Sequence, residues 1–254
     1  VLELLWNNVR FADGVRIDNY AMIAATKLCE QRLVKLLDRY GKPTVMACVD
    51  EMIVRTEKAL RKEISQIPAG SYSGESATDD DGTEYDVPVP VHVTVEVRDE
   101  QMILDFSGNL PQRKGFINCI YPTTYANAVA AAILVLSPEL ADYHNEGTTR
   151  CFKVIAPEGT VVNAVYPATV GSSPNSLGVN IMEAVLQALS KAMPQRAIAA
   201  AGRNRIDFAF GLDPRTGKNY VRASFNCCGS LGAVEGYDGY TGAILMQGRG
   251  AITR

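Results

Sequence analysis

The chain has 254 residues, 47% of them hydrophobic and 21% charged, which is enough to bury a substantial core in one large or two smaller domains. Its formal net charge of −3 argues against a dedicated nucleic-acid-binding protein, because such proteins usually carry a strongly basic face. The most membrane-like run, Ala126–Leu136, is much shorter than the roughly 18 apolar residues of a transmembrane helix, so we expect no membrane span.

The first part of the chain, residues 1–70, predicts a helical hairpin. Apolar residues recur at helical spacing from about Asn19 to Leu37, and a second amphipathic helix runs to about Ile67. Tyr40-Gly41-Lys42-Pro43 separates the two, because glycine favours the left-handed position that follows a helix. We therefore expect two helices packed antiparallel to each other.

The period of the apolar residues then changes from 3.6 to 2, which predicts a strand over Val87–Asp99 with its valines on one face. Two prolines at its start, Pro88 and Pro90, favour a position near a sheet edge, because proline cannot donate a ladder hydrogen bond. The turn Asp99-Glu100 predicts a hairpin with Met102–Phe106.

Further elements follow without strict alternation of helices and strands. They are a helix at Thr123–Leu136, strands at Phe152–Ala156 and Val161–Val165, a helix at about Leu177–Met193, and a hairpin of Arg205–Leu212 with Tyr220–Asn226. This order favours an α+β fold, in which residues 71–254 form a mixed or antiparallel sheet with packed helices.

The cysteines and histidines predict neither a disulfide framework nor a metal centre. The six cysteines show no framework spacing, which favours reduced thiols and a cytoplasmic protein. The two histidines, His92 and His144, have no partner at the spacing of a transition-metal site.

Three short motifs fail their functional templates. Asp79-Asp80-Asp81-Gly82 does not continue as a calcium-binding loop, so we interpret it as an acidic surface turn. Gly211–Lys218 lacks the spacing of a phosphate-binding loop and joins two strands, which predicts a hairpin turn. Gly171–Ser176 lacks the second glycine of a nucleophile elbow, but as a polar helix entry it suits an anion or a carbonyl oxygen.

The most informative segment is Leu104–Cys119, where an apolar strand opens into a polar, glycine-punctuated loop. Its polar residues include Asp105, Ser107, Asn109, Gln112 and Asn118. Loops of this kind on a rigid scaffold often carry function, and a purely structural polar loop is the alternative.

The same segment resembles a known family. Asp105-Phe106-Ser107-Gly108, Pro111-Gln112, Gly115 and Asn118-Cys119 resemble the signature of the hydantoinase B/5-oxoprolinase family. Further stretches match in the same order: Asn8-Val9-Arg10, Ile67–Tyr72, Asn145-Glu146-Gly147, Ala156–Thr160, Asn163, Pro167-Ala168, Asn175-Ser176, Pro194-Gln195-Arg196 and Gly236–Gly239.

The resemblance implies a subunit of a cytoplasmic, oligomeric, ATP-dependent enzyme that opens cyclic amides such as hydantoins or 5-oxoproline. In this family a partner subunit of the hydantoinase A type holds ATP with Mg²⁺ and phosphorylates a substrate oxygen, and the B-type subunit completes the reaction. A divalent metal site of the family lies before the stretch that matches Asn8-Val9-Arg10, so we expect a middle segment with no metal ligands of its own.

The resemblance makes Asp105, Gln112 and Asn118 candidate catalytic residues. The candidate substrate-binding residues are Ser107, Gly108, Gly115, Asn175 and Ser176. Two alternatives stay open: a subunit of an ATP-dependent ketone carboxylase of the acetone or acetophenone type, and a non-catalytic assembly segment.

Overall fold

A computed structural model describes residues 1–9, 12–136, 140, 144–171, 173–199, 205–227 and 232–239. The chain divides into two compact units, Val1–Arg55 and Thr56–Arg254. Within the described ranges, no helix is both long enough and apolar enough to cross a bilayer.

Three helices open the chain: α1 (Leu2–Asn7), α2 (Ala12–Tyr40) and α3 (Lys42–Ile64). The predicted break is confirmed, because Gly41 alone separates α2 from α3 and has a φ of +79°. No residue of α2 is buried, and the antiparallel packing of the two helices stays a prediction.

The second unit holds a four-stranded mixed sheet. Its strands are β1 (Gly70–Thr78), β2 (Val89–Arg98), β3 (Gln101–Asp105) and β4 (Phe152–Ile155), in the order β1-β2-β3-β4. The first three are antiparallel neighbours, and β4 lies parallel to β3. The α+β fold with a mixed sheet is therefore confirmed.

The valine alternation of β2 is confirmed, but its predicted position at a sheet edge is wrong. The five valines at 89, 91, 93, 95 and 97 are at most 3% exposed. β2 is an inner strand because β1, which is rich in serine and glycine and carries no apolar signature, pairs along it from Thr78↔Val89 to Gly70↔Val97. Pro90 is accommodated because it is only the second residue of the strand.

The β2–β3 hairpin is also confirmed. Asp99 and Glu100 both have positive φ values, 48° and 63°, as a tight hairpin turn requires. The strand expected at Val161–Val165 is absent, because this backbone binds the loop after β3 instead of a sheet. Val161 N donates to Leu110 O, and Ala164 N donates to Cys119 O.

Helices cover the sheet and complete the core of the second unit. They are α4 (Tyr121–Leu134), α5 (Glu146–Thr149), α6 (Leu177–Ala192) and a 3₁₀ turn at Pro194–Arg196. The largest fully buried side chains include Phe106, Met102, Leu104, Ile181 and Leu189.

Helix α6 also protects the free edge of β1. Gln187 Oε1 accepts a hydrogen bond from Glu75 N, and Lys191 Nζ donates to Ser73 O, both over 2.6 Å. A β-carbon at Gly74 would overlap the carbonyl oxygen of Ala184, so only glycine permits this approach. The edge backbone is thereby shielded from pairing with another chain.

The last described strands, β5 (Arg205–Asp213) and β6 (Lys218–Cys227), form a separate antiparallel pair. The predicted hairpin is confirmed, and with it the interpretation of Gly211–Lys218 as a strand connection.

Candidate functional site

The candidate site is built around residues 105–119, the signature loop, which joins the carboxyl end of β3 to the start of α4. Phe106 anchors it: the ring is fully buried, and Phe106 N donates to Ile155 O over 2.8 Å, continuing the parallel β3–β4 pairing. Asp105, the last residue of β3, therefore lies where the sheet opens into the loop.

Asp105 has one carboxylate oxygen bound and one available. Oδ1 accepts a hydrogen bond from Ser107 N over 2.8 Å, which is an Asx turn. No described residue donates to Oδ2, and the side chain is half-buried. Ser107 and Gly108 form the exposed tip of this turn, where Gly108 has a φ of +85° and open space around it.

Asn118 is fully buried, and its amide binds only backbone groups. Oδ1 accepts from Arg113 N over 2.8 Å. Nδ2 donates to the carbonyl oxygens of Arg113, Gly115 and Thr169 over 2.9–3.0 Å. Asn118 thus fixes the shape of the signature loop and ties it to the segment 159–170.

Gln112 is held along the same segment but keeps a free donor. Gln112 N donates to Gly159 O over 2.8 Å, and Gln112 Oε1 accepts from Val165 N over 2.9 Å. Among the described residues, none accepts a hydrogen bond from Gln112 Nε2. The side chain is half-buried, so this amide can still donate to a bound molecule.

Asn109 has a structural role that its residue type alone did not reveal. It is 7% exposed and binds both backbone groups of His92, over 2.9 Å to N and 2.8 Å to O. Nδ2 also donates to Phe106 O. Asn109 therefore fastens the loop to β2.

The signature loop rests on a buried carboxylate that sequence reasoning missed. Asp81 is 2% exposed, so the interpretation of this acid as part of a surface turn is wrong. Its Oδ1 accepts from Thr83 Oγ1, Thr83 N and Glu84 N over 2.7–2.9 Å. These hydrogen bonds, that of the Thr83 hydroxyl first and the charge of Arg113 last, hold the pKa of Asp81 well below its usual range.

Arg113 links the Asp81 turn to the loop. Its Nη2 lies 2.6 Å from Glu84 Oε2, and its Nε lies 3.3 Å from Asp81 Oδ2. The second contact is electrostatic, because Arg113 Nε makes no well-directed hydrogen bond. No local sequence pattern could have revealed this pairing, since the two acids and the arginine lie on different segments.

The start of α6 lies beside the end of the signature loop. Cys119 Sγ is 3.7 Å from Ser173 O, and Ser173 O also accepts from Gly178 N. Ser176 is the N-cap residue of α6, and its side chain makes no capping hydrogen bond. Asn175 and Ser176 follow Ser173, which contacts the loop, by two and three residues along the chain.

Cys119 is not a suitable nucleophile. Its side chain is fully buried, and this burial raises the pKa of the thiol to about 12. Such a thiol is almost entirely protonated at neutral pH.

The described residues contain no cluster suited to a metal ion. No three His, Cys, Asp or Glu side chains in the described ranges are grouped closely enough to hold a metal. The one stretch with some likeness to a phosphate-binding loop joins β5 to β6.

Comparison with known proteins gives a consistent set of relatives. A sequence model described as hydantoinase B/oxoprolinase matches residues 1–253. The B-type subunit of a putative D-/L-hydantoinase from Pseudomonas sp. (strain NS671) is 29% identical over 249 residues, covering 94% of this chain and 41% of that protein. The beta subunit of the caprolactamase from Pseudomonas jessenii is 32% identical over 248 residues, with the same coverage of both chains.

Two solved structures share the fold. The ATP-dependent caprolactamase from Pseudomonas jessenii superposes with a TM-score of 0.85 at 26% identity, covering 96% of this chain and 42% of that one. Nucleotide-free acetone carboxylase superposes with a TM-score of 0.80 at 18% identity, covering all of this chain and 36% of that one. The chain thus spans about two fifths of the length of the hydantoinase and caprolactamase subunits.

Proposed function

The chain belongs to the hydantoinase B/oxoprolinase family, and we propose that it forms part of the B-type subunit of an ATP-dependent enzyme that hydrolyses cyclic amides. The observation that carries this proposal is the similarity to two relatives, 29% and 32% identical, that are named for hydantoin and caprolactam. Both compounds contain an amide within a ring, so the shared chemistry is opening of that bond.

Ketone carboxylation is the second candidate. The likeness to acetone carboxylase supports the shared fold, but at 18% identity it carries no argument about the reaction. The hydrolase is favoured because the relatives with the higher identities are the hydantoinase and the caprolactamase.

Within the proposed reaction, Asp105 is the acid–base group. Its Oδ2 has no described partner and is available to accept a proton from the attacking water. Gln112 Nε2 is available to donate a hydrogen bond to the activated amide group of the substrate and to orient it for attack by water. Ser107, Gly108, Asn175 and Ser176 would line the substrate, with Gly108 leaving the backbone accessible.

Asn118 and Gly115 act through the loop. The Asn118 side chain hydrogen-bonds to backbone groups only, so we propose that it positions Gln112 rather than contacting the substrate. The backbone of Gly115 packs against the backbone of the Asp81 turn, which leaves no room for a side chain. Packing alone therefore explains the glycine, and no contact with a ligand is needed to explain it.

The proposal assigns ATP and Mg²⁺ to a hydantoinase A-type partner subunit. ATP would supply activation of the amide oxygen by phosphorylation. A cytoplasmic location fits the four described cysteines, Cys29, Cys48, Cys119 and Cys151, all of which are free thiols.

The test uses the full protein that contains this chain, co-expressed with the ATP-binding subunit. ATP consumption is followed with hydantoins, 5-oxoproline, lactams and small ketones, with and without labelled bicarbonate. ATP loss matched by ring opening without label supports the amidohydrolase. Label in a keto acid would assign the protein to the carboxylases, and absence of ATP-dependent turnover on every substrate would contradict the proposal.

A further inference from the structure

A cavity unrelated to the signature loop lies at the far end of α6. Its volume is about 270 Å³, just below the usual range for sites of drug-sized ligands. Two stretches distant in sequence form it: the end of α3 with the residues that follow, and the 3₁₀ turn after α6. The lining residues used below are Glu63, Gln66, Ile67, Met193, Gln195 and Arg196.

The cavity is well separated from Asn175 and Ser176. It lies at the carboxyl end of the 16-residue helix α6, whereas Asn175 and Ser176 precede its amino end. At about 1.5 Å per residue, the helix puts roughly 24 Å between the two places.

Both walls of the cavity are held in place. Arg196 Nη1 is 2.6 Å from Glu63 Oε1 and donates to Val135 O over 3.2 Å. Ile67 N and Arg196 N are hydrogen-bonded within their own turns. The apolar part is formed by Ile67 and Met193, which are 5% and 4% exposed.

The charges of the cavity cancel. Glu63 and Arg196 form a close pair, so neither an anion nor a cation meets an uncompensated opposite charge. Gln66 and Gln195 also line the cavity; both residues are exposed, and no described residue hydrogen-bonds to either carboxamide. Each carboxamide presents donors and an acceptor together.

We propose that this cavity binds a small neutral molecule that carries an amide or ureide group on an apolar ring or chain. An amide presents a donor and an acceptor side by side, which matches the two glutamine carboxamides. Its hydrocarbon part would pack on Ile67 and Met193. The site is a second binding site, and the proposed hydrolysis at Asp105 does not depend on it.

The test measures binding directly on the full protein with its partner subunit, labelled with ¹³C-methyl methionine. The probe is 2-pyrrolidinone, and the Met193 methyl signal is identified by its loss in Met193→Leu. A saturable shift of this signal is expected. Cyclopentanone, pyrrolidinium and cyclopentanecarboxylate serve as comparison probes that lack the donor, carry positive charge or carry negative charge.

Gln66→Leu and Gln195→Leu should each weaken 2-pyrrolidinone binding roughly fivefold or more, since each removes a hydrogen-bonding partner. Gln31→Leu, on exposed α2, is the matched control and should leave binding unchanged. Gln66→Glu and Gln195→Glu, which add a charge without loss of volume, should also weaken it and serve if a leucine variant does not fold.

The proposal is overturned by any of three results: no saturable Met193 shift, equal or tighter binding of a comparison probe, or glutamine variants that bind like the parent. Asp105→Asn separates this proposal from the catalytic one. It should reduce turnover while leaving the Met193 shift intact, so either proposal can fail alone.

Discussion

Gly115 and Asp81 touch backbone to backbone: a β-carbon built on Gly115 would overlap the carbonyl oxygen of Asp81. Gly115 is buried in the signature loop, and Asp81 is buried in the turn before β2. This approach, together with Arg113 between Asp81 and Glu84, determines where the loop lies.

Gly115→Ala should therefore destabilise the protein by roughly 1–3 kcal/mol, because the methyl group meets backbone that cannot move independently. Urea unfolding measures the change. Gly171→Ala is the control, since a β-carbon there has open space within 4 Å. Equal stability of the two variants would contradict the packing described here.

Asp81 predicts a specific dependence of stability on pH. Its pKa is lowered in the folded state, whereas the pKa of an unfolded aspartate is about 3.9. The contribution of Asp81 is thus fully present above about pH 5 and is lost as the pH falls through the acid range.

Asp81→Asn should destabilise the protein at pH 7, and the difference from the parent should shrink at pH 3. Unfolding free energies measured at both pH values test this. Asp79→Asn, at an exposed neighbouring position, should change neither value much. A difference that stays constant with pH would show that the carboxylate charge is unimportant.

Asn118→Asp should destabilise the protein strongly, by about 2–4 kcal/mol, because a carboxylate would face three backbone carbonyl oxygens. Protonation of the new carboxyl group relieves this repulsion, so the loss of unfolding free energy should be smaller at low pH. Asn219→Asp, at an exposed position of β6, is the control. Normal stability combined with lost turnover would instead indicate direct contact with the substrate.

Asp105→Asn should lower turnover by roughly tenfold or more while the protein stays folded, because the amide cannot accept the proton from water. Asn can still accept the hydrogen bond from Ser107 N, so the turn should persist. Asp99→Asn, in the β2–β3 turn where asparagine tolerates the positive φ, is the matched control. Unchanged turnover would remove Asp105 from the proposed site.

Alkylation tests the burial of the thiols. Burial raises the pKa of both Cys119 and Cys151, that of Cys119 to about 12. Iodoacetamide at pH 8 should modify exposed Cys29 and Cys48 quickly and the two buried thiols only after unfolding. Peptide mapping by mass spectrometry identifies the modified sites, and fast labelling of Cys119 would contradict its burial.

Local sequence patterns predicted much of the secondary structure of the second unit. The valine alternation predicted the buried face of β2, and Asp99-Glu100 predicted the turn that follows. The boundaries of α6 were predicted nearly to the residue, with Pro194 marking its end. These features depend on the periodicity of the side chains and on the backbone preferences of the residues. Both can be recognised from residues that are adjacent in the sequence.

The tertiary structure decided which of the remaining segments pair as strands. β1 carries no apolar alternation, so only its pairing with β2 and its cover by α6 make it a strand. Conversely, Val161–Val165 has a strand-like composition, but its backbone hydrogen-bonds to the signature loop and forms no strand of a sheet.

The sequence by itself also placed Asp105, Gln112 and Asn118 in one polar loop, but it did not distinguish their surroundings. Asn118 is enclosed by backbone groups, whereas Asp105 and Gln112 each keep one polar atom without a partner among the described residues. Burial and hydrogen-bond partners come from contacts between distant segments, and residue type fixes only which bonds a side chain is able to make.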